Sequence, residues 1–136
     1  MRDTQKKQGE GGPLPYTLEH VESDGYLVAR CQGEVSASEL RAAREDAINL
    51  RFETGEKRLL IDFSDAVSIP SVGDSYFIVQ EAAKSKLSAT RTAVVARPEH
   101  SRITGFVAFA ATTAGLTVKT FHDEAEALRW LCKRES

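Results

Sequence analysis

Arg58-Leu-Leu-Ile-Asp-Phe-Ser-Asp-Ala-Val-Ser-Ile-Pro-Ser-Val-Gly73 is the stretch on which the reading of this chain turns. Leu59 to Phe63 is a nearly continuous apolar run. Such a run predicts a strand covered on both faces, in the middle of a parallel or mixed sheet. Asp62 falls near its carboxyl end. Pro70 blocks helix ahead of Ser71 and presets a turn. After the turn, Val72, Tyr76, Val79, Ala83 and Leu87 recur at helical spacing. They predict an amphipathic helix with one apolar stripe, widened by Phe77 and Ile78 and so expected to be well buried. Lys84 and Lys86 fall in its last turns, where they complement the helix dipole. The junction thus delivers Ser71 to a helix N-terminus.

Upstream, Tyr16 to Glu22 alternates apolar and polar residues, the period of a half-buried strand. Asp24-Gly25 predicts a type I′ hairpin turn. Tyr26 to Cys31 is the second strand, ended by Gly33. Ser36-Ala-Ser-Glu39 reads as a capping box. It opens a helix with Leu40, Ala43, Ala47 and Ile48 on one face, stopped at Thr54-Gly-Glu56. Downstream, Thr90 to Ala96 is a strand, and Pro98 suits a first helical turn. Ile103, Phe106, Val107 and Ala110 share that helix's apolar face, with Phe109 flanking it. Leu116 to Phe121 is the last strand. Asp123 and Glu126 form a second capping box, and Ala127, Leu128, Trp130 and Leu131 anchor the final helix.

The order β-β-α-β-α-β-α-β-α implies right-handed crossovers. The expected fold is α/β, one domain over 16–133, a mixed sheet of about five strands with helices mainly on one face. Residues 1–15, rich in Gly, Gln and Lys, are expected to be a flexible arm. A length of 136 residues suits a single domain. The net charge of −2 supplies no basic field, so nucleic acid is not an expected partner. No apolar run is long enough to span a bilayer, and Met1 to Gly12 shows no secretory core, so a cytoplasmic location is expected. Cys31 and Cys132 form no metal-spaced pair and are read as lone buried thiols.

Enzymatic signatures are missing. The sequence has no glycine-rich phosphate-binding loop. His20, His100 and His122 have no motif partner. His100 and His122 each follow a parallel strand, which places them at the sheet edge that also carries Ser71. No cofactor or catalytic residue is expected. Two roles for Ser71 stay open: a helix cap, and a phosphate site where a phosphoryl group would meet free backbone amides. Gly73 would let a partner approach the backbone closely. Asp62, Asp65 and Asp74 lie near the junction, where they would repel a phosphate or hold a magnesium ion. Tyr76, Phe77, Phe106 and Phe109 exceed what two short helices need. They fit ordinary core, an apolar-ligand pocket or a homodimer face.

From Tyr16 to Leu131 the pattern resembles a STAS domain, the fold of anti-sigma-factor antagonists and of sulfate-transporter tails. The residues that carry the resemblance are Gly33-Glu34-Val35 before a capped helix, Leu60-Ile-Asp-Phe63, and Pro70-Ser-Val-Gly73. The segment Val118 to Leu131 is similar to a divergent bacterial branch, likened also to CRAL-TRIO lipid-transfer domains. The resemblance implies a non-enzymatic module that binds a protein partner such as an anti-sigma-type kinase. It puts Ser71 at the phosphoacceptor position, Gly73 at the conserved-pattern glycine and Pro70 where the family keeps aspartate. It implies that Asp62, Asp65 and Asp74 shape the surface the kinase reads, not a metal site. The alternative expectation is a small apolar-ligand carrier using Tyr76, Phe77, Phe106 and Phe109.

Overall fold

The computed structural model describes residues 16–84 and 90–133, and by backbone alone 8–9 and 12–13. Gln8–Gly9 (β1) and Gly12–Pro13 (β2) pair antiparallel. The rest of the expected arm lies outside the described residues, as do Lys86 and Leu87 of the expected helix end.

The core is a five-stranded sheet in the order Tyr16–Val21 (β3), Tyr26–Glu34 (β4), Arg58–Ser68 (β5), Arg91–Val95 (β6) and Thr117–Phe121 (β7). β3 and β4 pair antiparallel, and β4 to β7 run parallel. The helices are Ala37–Thr54 (α1), Val72–Lys84 (α2), Ser101–Thr113 (α3) and Glu124–Leu131 (α4). This is the expected alternation. The apolar side chains of β5 explain its central place. Leu59 and Phe63 pack towards α1, whereas Leu60 packs with Ala127 and Leu131 of α4. Thus α1, α2 and α3 cover one face of the sheet and α4 covers the other.

The first capping box forms as the spacing predicts, and of the second the Asp123 half forms. Ser36 Oγ accepts the Glu39 N–H at 3.2 Å, and Glu39 Oε1 accepts the Ser36 N–H at 2.9 Å. Gly55, at φ 78°, closes α1 by donating its N–H to the Arg51 carbonyl. Asp123 Oδ2 accepts the Glu126 N–H at the start of α4.

Three local expectations change. Val21 pairs with Tyr26, so the hairpin loop spans Glu22 to Gly25 instead of two residues. The Asp24 and Gly25 N–H groups both donate to the Val21 carbonyl, and Gly25 alone among the described glycines of that loop takes the left-handed position. In this longer loop the left-handed position falls to Gly25, the residue that adopts it without strain. Gly33 does not end β4. It sits at φ 71° beside a register shift, and the strand runs on to Glu34. That is glycine serving a β-bulge. Pro98 opens a 3-10 turn, Pro98–His100, ahead of α3.

Candidate functional site

β5 ends at Ser68, and Ile69-Pro70-Ser71 turns the chain into α2. Ser71 Oγ accepts the Asp74 N–H at 3.2 Å, so Ser71 caps the helix. Its carbonyl accepts the Ser75 N–H at 2.8 Å. The buried Ser75 hydroxyl donates to the Pro70 carbonyl at 3.2 Å and pins the turn from beneath. Ser71, Gly73 and Asp74 are all exposed. A Cβ on Gly73 would meet open space. Nothing inside this chain requires glycine there, and the position is open to an approaching molecule.

The three acids near the junction have different surroundings. Asp62 is buried on the α4 side of the sheet. Its Oδ2 accepts Arg30 Nη1 at 2.7 Å, and its Oδ1 accepts the Ser64 N–H at 2.9 Å and the Ser64 hydroxyl. Arg30, opposite Asp62 across the β4–β5 ladder, also grips Glu124 of α4 at 2.8 and 3.2 Å. Both carboxylates hold the guanidinium firmly in its charged form. Asp62 therefore orients the start of the loop and ties α4 to the sheet, while Asp65 and Asp74 face solvent. Among the described residues no three acidic, histidine or cysteine side chains converge as metal ligands.

The histidines are engaged by the chain itself. His100 Nε2–H donates to the Ala66 carbonyl at 3.3 Å, and His122 Nδ1–H to the Ala96 carbonyl at 2.9 Å. His20 Nε2 pairs with Glu56 at 3.0 Å. Arg97 Nε donates to the Ser64 carbonyl at 2.7 Å. Arg97 and His100, from the loop after β6, thus hold the far end of β5. Neither these contacts nor the Arg30–Glu124 pair has a short-range signal, because their partners lie 33 to 94 residues away. Cys31 is buried, but Cys132 is only half-buried, since it closes α4 at the rim of the packed face.

The aromatic residues depart furthest from expectation. Tyr76 is 43% exposed, Phe77 60% and Phe109 71%. Phe106 is half-buried. The Tyr76 ring lies 6.1 Å from Phe77 and 6.3 Å from Phe106 between centroids. Tyr76, Phe106 and Phe109 line a shallow open depression between α2 and α3. α2 buries Ser75, Ile78 and Val79 instead of the stripe through Val72 and Tyr76. The helix is apolar on two overlapping faces, and the hydrogen bond from Ser75 to Pro70 turns the narrower one inward. The wider face is left as an apolar patch leading away from Ser71. Patches of this kind mark interaction surfaces on soluble proteins.

The profile of the SpoIIAA-like family matches residues 26–132. Solved structures share the fold. An anti-sigma factor antagonist from Mycobacterium paratuberculosis is 25% identical, with a TM-score of 0.59 over 85% of this chain and 92% of its own. An uncharacterised protein of the DUF3478 family from Shewanella loihica, with a SpoIIAA-like fold, is 17% identical, with a TM-score of 0.57 over 86% and 92%. The Bacillus cell-fate determinant SpoIIAA in its phosphorylated form is 21% identical, with a TM-score of 0.51 over 85% and 98%. No curated protein matches the chain. No helix among the described residues is long and apolar enough to cross a membrane.

Proposed function

The chain belongs to the SpoIIAA-like family, and from that premise we propose that it is a non-enzymatic, cytoplasmic regulatory module that binds a protein partner at the start of α2. One observation carries the reading. Ser71 stands exposed at a helix N-terminus, and the same helix continues outward as Val72, Tyr76 and Phe77, all solvent-facing. Partner contact would cover this patch, with Ser71, Gly73, Asp74 and Asp65 supplying its polar border.

Phosphorylation of Ser71 by an anti-sigma-type kinase would switch the surface. The γ-phosphoryl of ATP passes to Ser71 Oγ, and ADP and a proton leave. The new phosphate meets the backbone amides of the first turn of α2, which now hold the uncharged hydroxyl. It also meets Asp74, whose charge opposes it. Pro70 in place of the family aspartate removes one further repelling carboxylate. Asp62 stays out of partner contact and keeps the loop in position. The apolar-carrier alternative at Tyr76, Phe77, Phe106 and Phe109 has weaker support. The depression that Tyr76, Phe106 and Phe109 line without Phe77 is open, and an acyl chain lying in it would stay wet on one side.

Mass spectrometry of the protein from its native host, under growth and stress, tests the switch, with phosphate on Ser71 expected. Phe77→Ser is expected to lose partner capture in crosslinking while Ser71→Asp changes it. Absence of Ser71 phosphate together with unchanged capture by both variants removes the reading. Dimers in ultracentrifugation that Phe77→Ser dissolves would identify the partner as a second copy.

A further inference from the structure

Helices α1, α2 and α3 do not close tightly on the sheet. Between them lies a cavity of about 150 Å³. Its origin is legible in side-chain size. Ala43 and Ala47 of α1, Ala82 of α2 and Ala111 of α3 face it, with Ala29 of β4 behind. The side chains at these positions stop at a methyl group. Protein interiors hold few voids larger than a water molecule. An apolar cavity of about 150 Å³ stays dry and accepts a molecule of benzene size.

The polar groups on the wall are mostly spoken for. Ser75 donates to the Pro70 carbonyl, Thr104 to the His100 carbonyl, and Thr90 accepts Arg51 Nε. Arg44 differs. Its Nη1 lies 3.4 Å from Glu81, but its Nε is buried without a hydrogen-bond partner. Arg44 also lines the cavity.

We propose that this cavity binds a compact, mainly apolar molecule of about benzene size that carries one hydrogen-bond acceptor, met by Arg44. A fatty chain is too large for it. Pro70, Ser75, Ile78, Val79 and Ala82 line it too, so an occupant touches the inner face of α2. The outer face of that helix is the patch described above, but the binding site stands whether or not that patch docks a partner.

Methyl NMR on the full chain, titrated with benzene and with acetophenone, tests the site. Saturable shifts are expected in Leu40, Ile61, Val94 and Val118, which line the cavity. Acetophenone should bind about tenfold more tightly than benzene, the effect of one hydrogen bond to a charged donor. Arg44→Met should erase that preference and keep benzene binding. Ala43→Leu fills the space and should abolish binding, and Ala111→Leu repeats the test from α3. No shift of the lining methyls in the unmodified chain at saturating benzene overturns the site, whatever the variants do. Shifts that survive in a folded filled variant overturn it as well, because the probe then sits elsewhere. Equal affinity for the two probes overturns the role of Arg44.

Discussion

Tyr16 and Cys31 face each other across the β3–β4 ladder, and both are buried. The Tyr16 hydroxyl donates to Asp46 Oδ2 at 2.5 Å. Burial, reinforced by that bond and by the Asp46 charge, pushes its pKa well above the ordinary phenol value. Burial first, then the charges of Asp62 and Glu39, pushes the Cys31 thiol up to about 12. Both shifts are upward, so the neutral forms favour the folded state. Their stabilisation is complete below the ordinary values of 9.0 and 10.0, and it is lost as pH rises through the folded pKa values. Urea unfolding should therefore show no pH dependence from this pair between pH 6 and 8. Stability should fall from about pH 9, at about 1.4 kcal/mol per pH unit from Cys31 alone. Tyr16→Phe and Cys31→Ala together should flatten the decline. A decline of unchanged slope in the double variant would place the alkaline weakness elsewhere. The sequence marks Cys31 as a lone thiol, but its partner across the ladder follows from strand register.

Among the elements, α2 is the one whose reading changes most. Its start and its N-terminal cap were legible because Pro70, Ser71 and the apolar spacing act over a few residues. Its rotation about its own axis was not. Val72-Tyr76-Val79 and Ser75-Ile78-Ala82 are both helical stripes, and the spacing alone does not choose between them. The structure buries Ser75, Ile78 and Val79, with Val79 and Ala82 packed against Ala110 and Ala111 of α3 and against Leu116 just ahead of β7. Ile78→Ala is accordingly expected to cost about 2–5 kcal/mol, the range for truncating a buried isoleucine. Phe77→Ser, at a solvent-facing position, should stay within about 0.5 kcal/mol. Comparing the two urea midpoints decides the matter. A larger loss for Phe77→Ser would mean that α2 turns its aromatic face inward.

At the scale of the whole molecule, a four-stranded parallel stack with a hairpin edge needs cover on both faces. Three helices cover one face, and α4 alone covers the centre of the other, with Ala127 and Leu131 fully buried over Leu60, Ala93 and Val95. Arg30 clamps α4 through Glu124. A chain ending after Phe121 would expose that face, so it is expected to lose cooperative unfolding and the dispersed methyl spectrum of a packed core. A truncated chain that still unfolds cooperatively would show α4 to be an accessory. What the sequence by itself determined is the order of elements, their caps and the mixed five-stranded sheet. Those follow from propensity, turn chemistry and periodicity, which act between near neighbours. Only the tertiary structure decided which stripe of α2 turns inward, that Arg30 pairs with both Asp62 and Glu124, and that the facing alanines leave a cavity at the heart of the helical layer. Each of these depends on groups far apart in the chain, whose shape and charge meet only once the sheet has assembled.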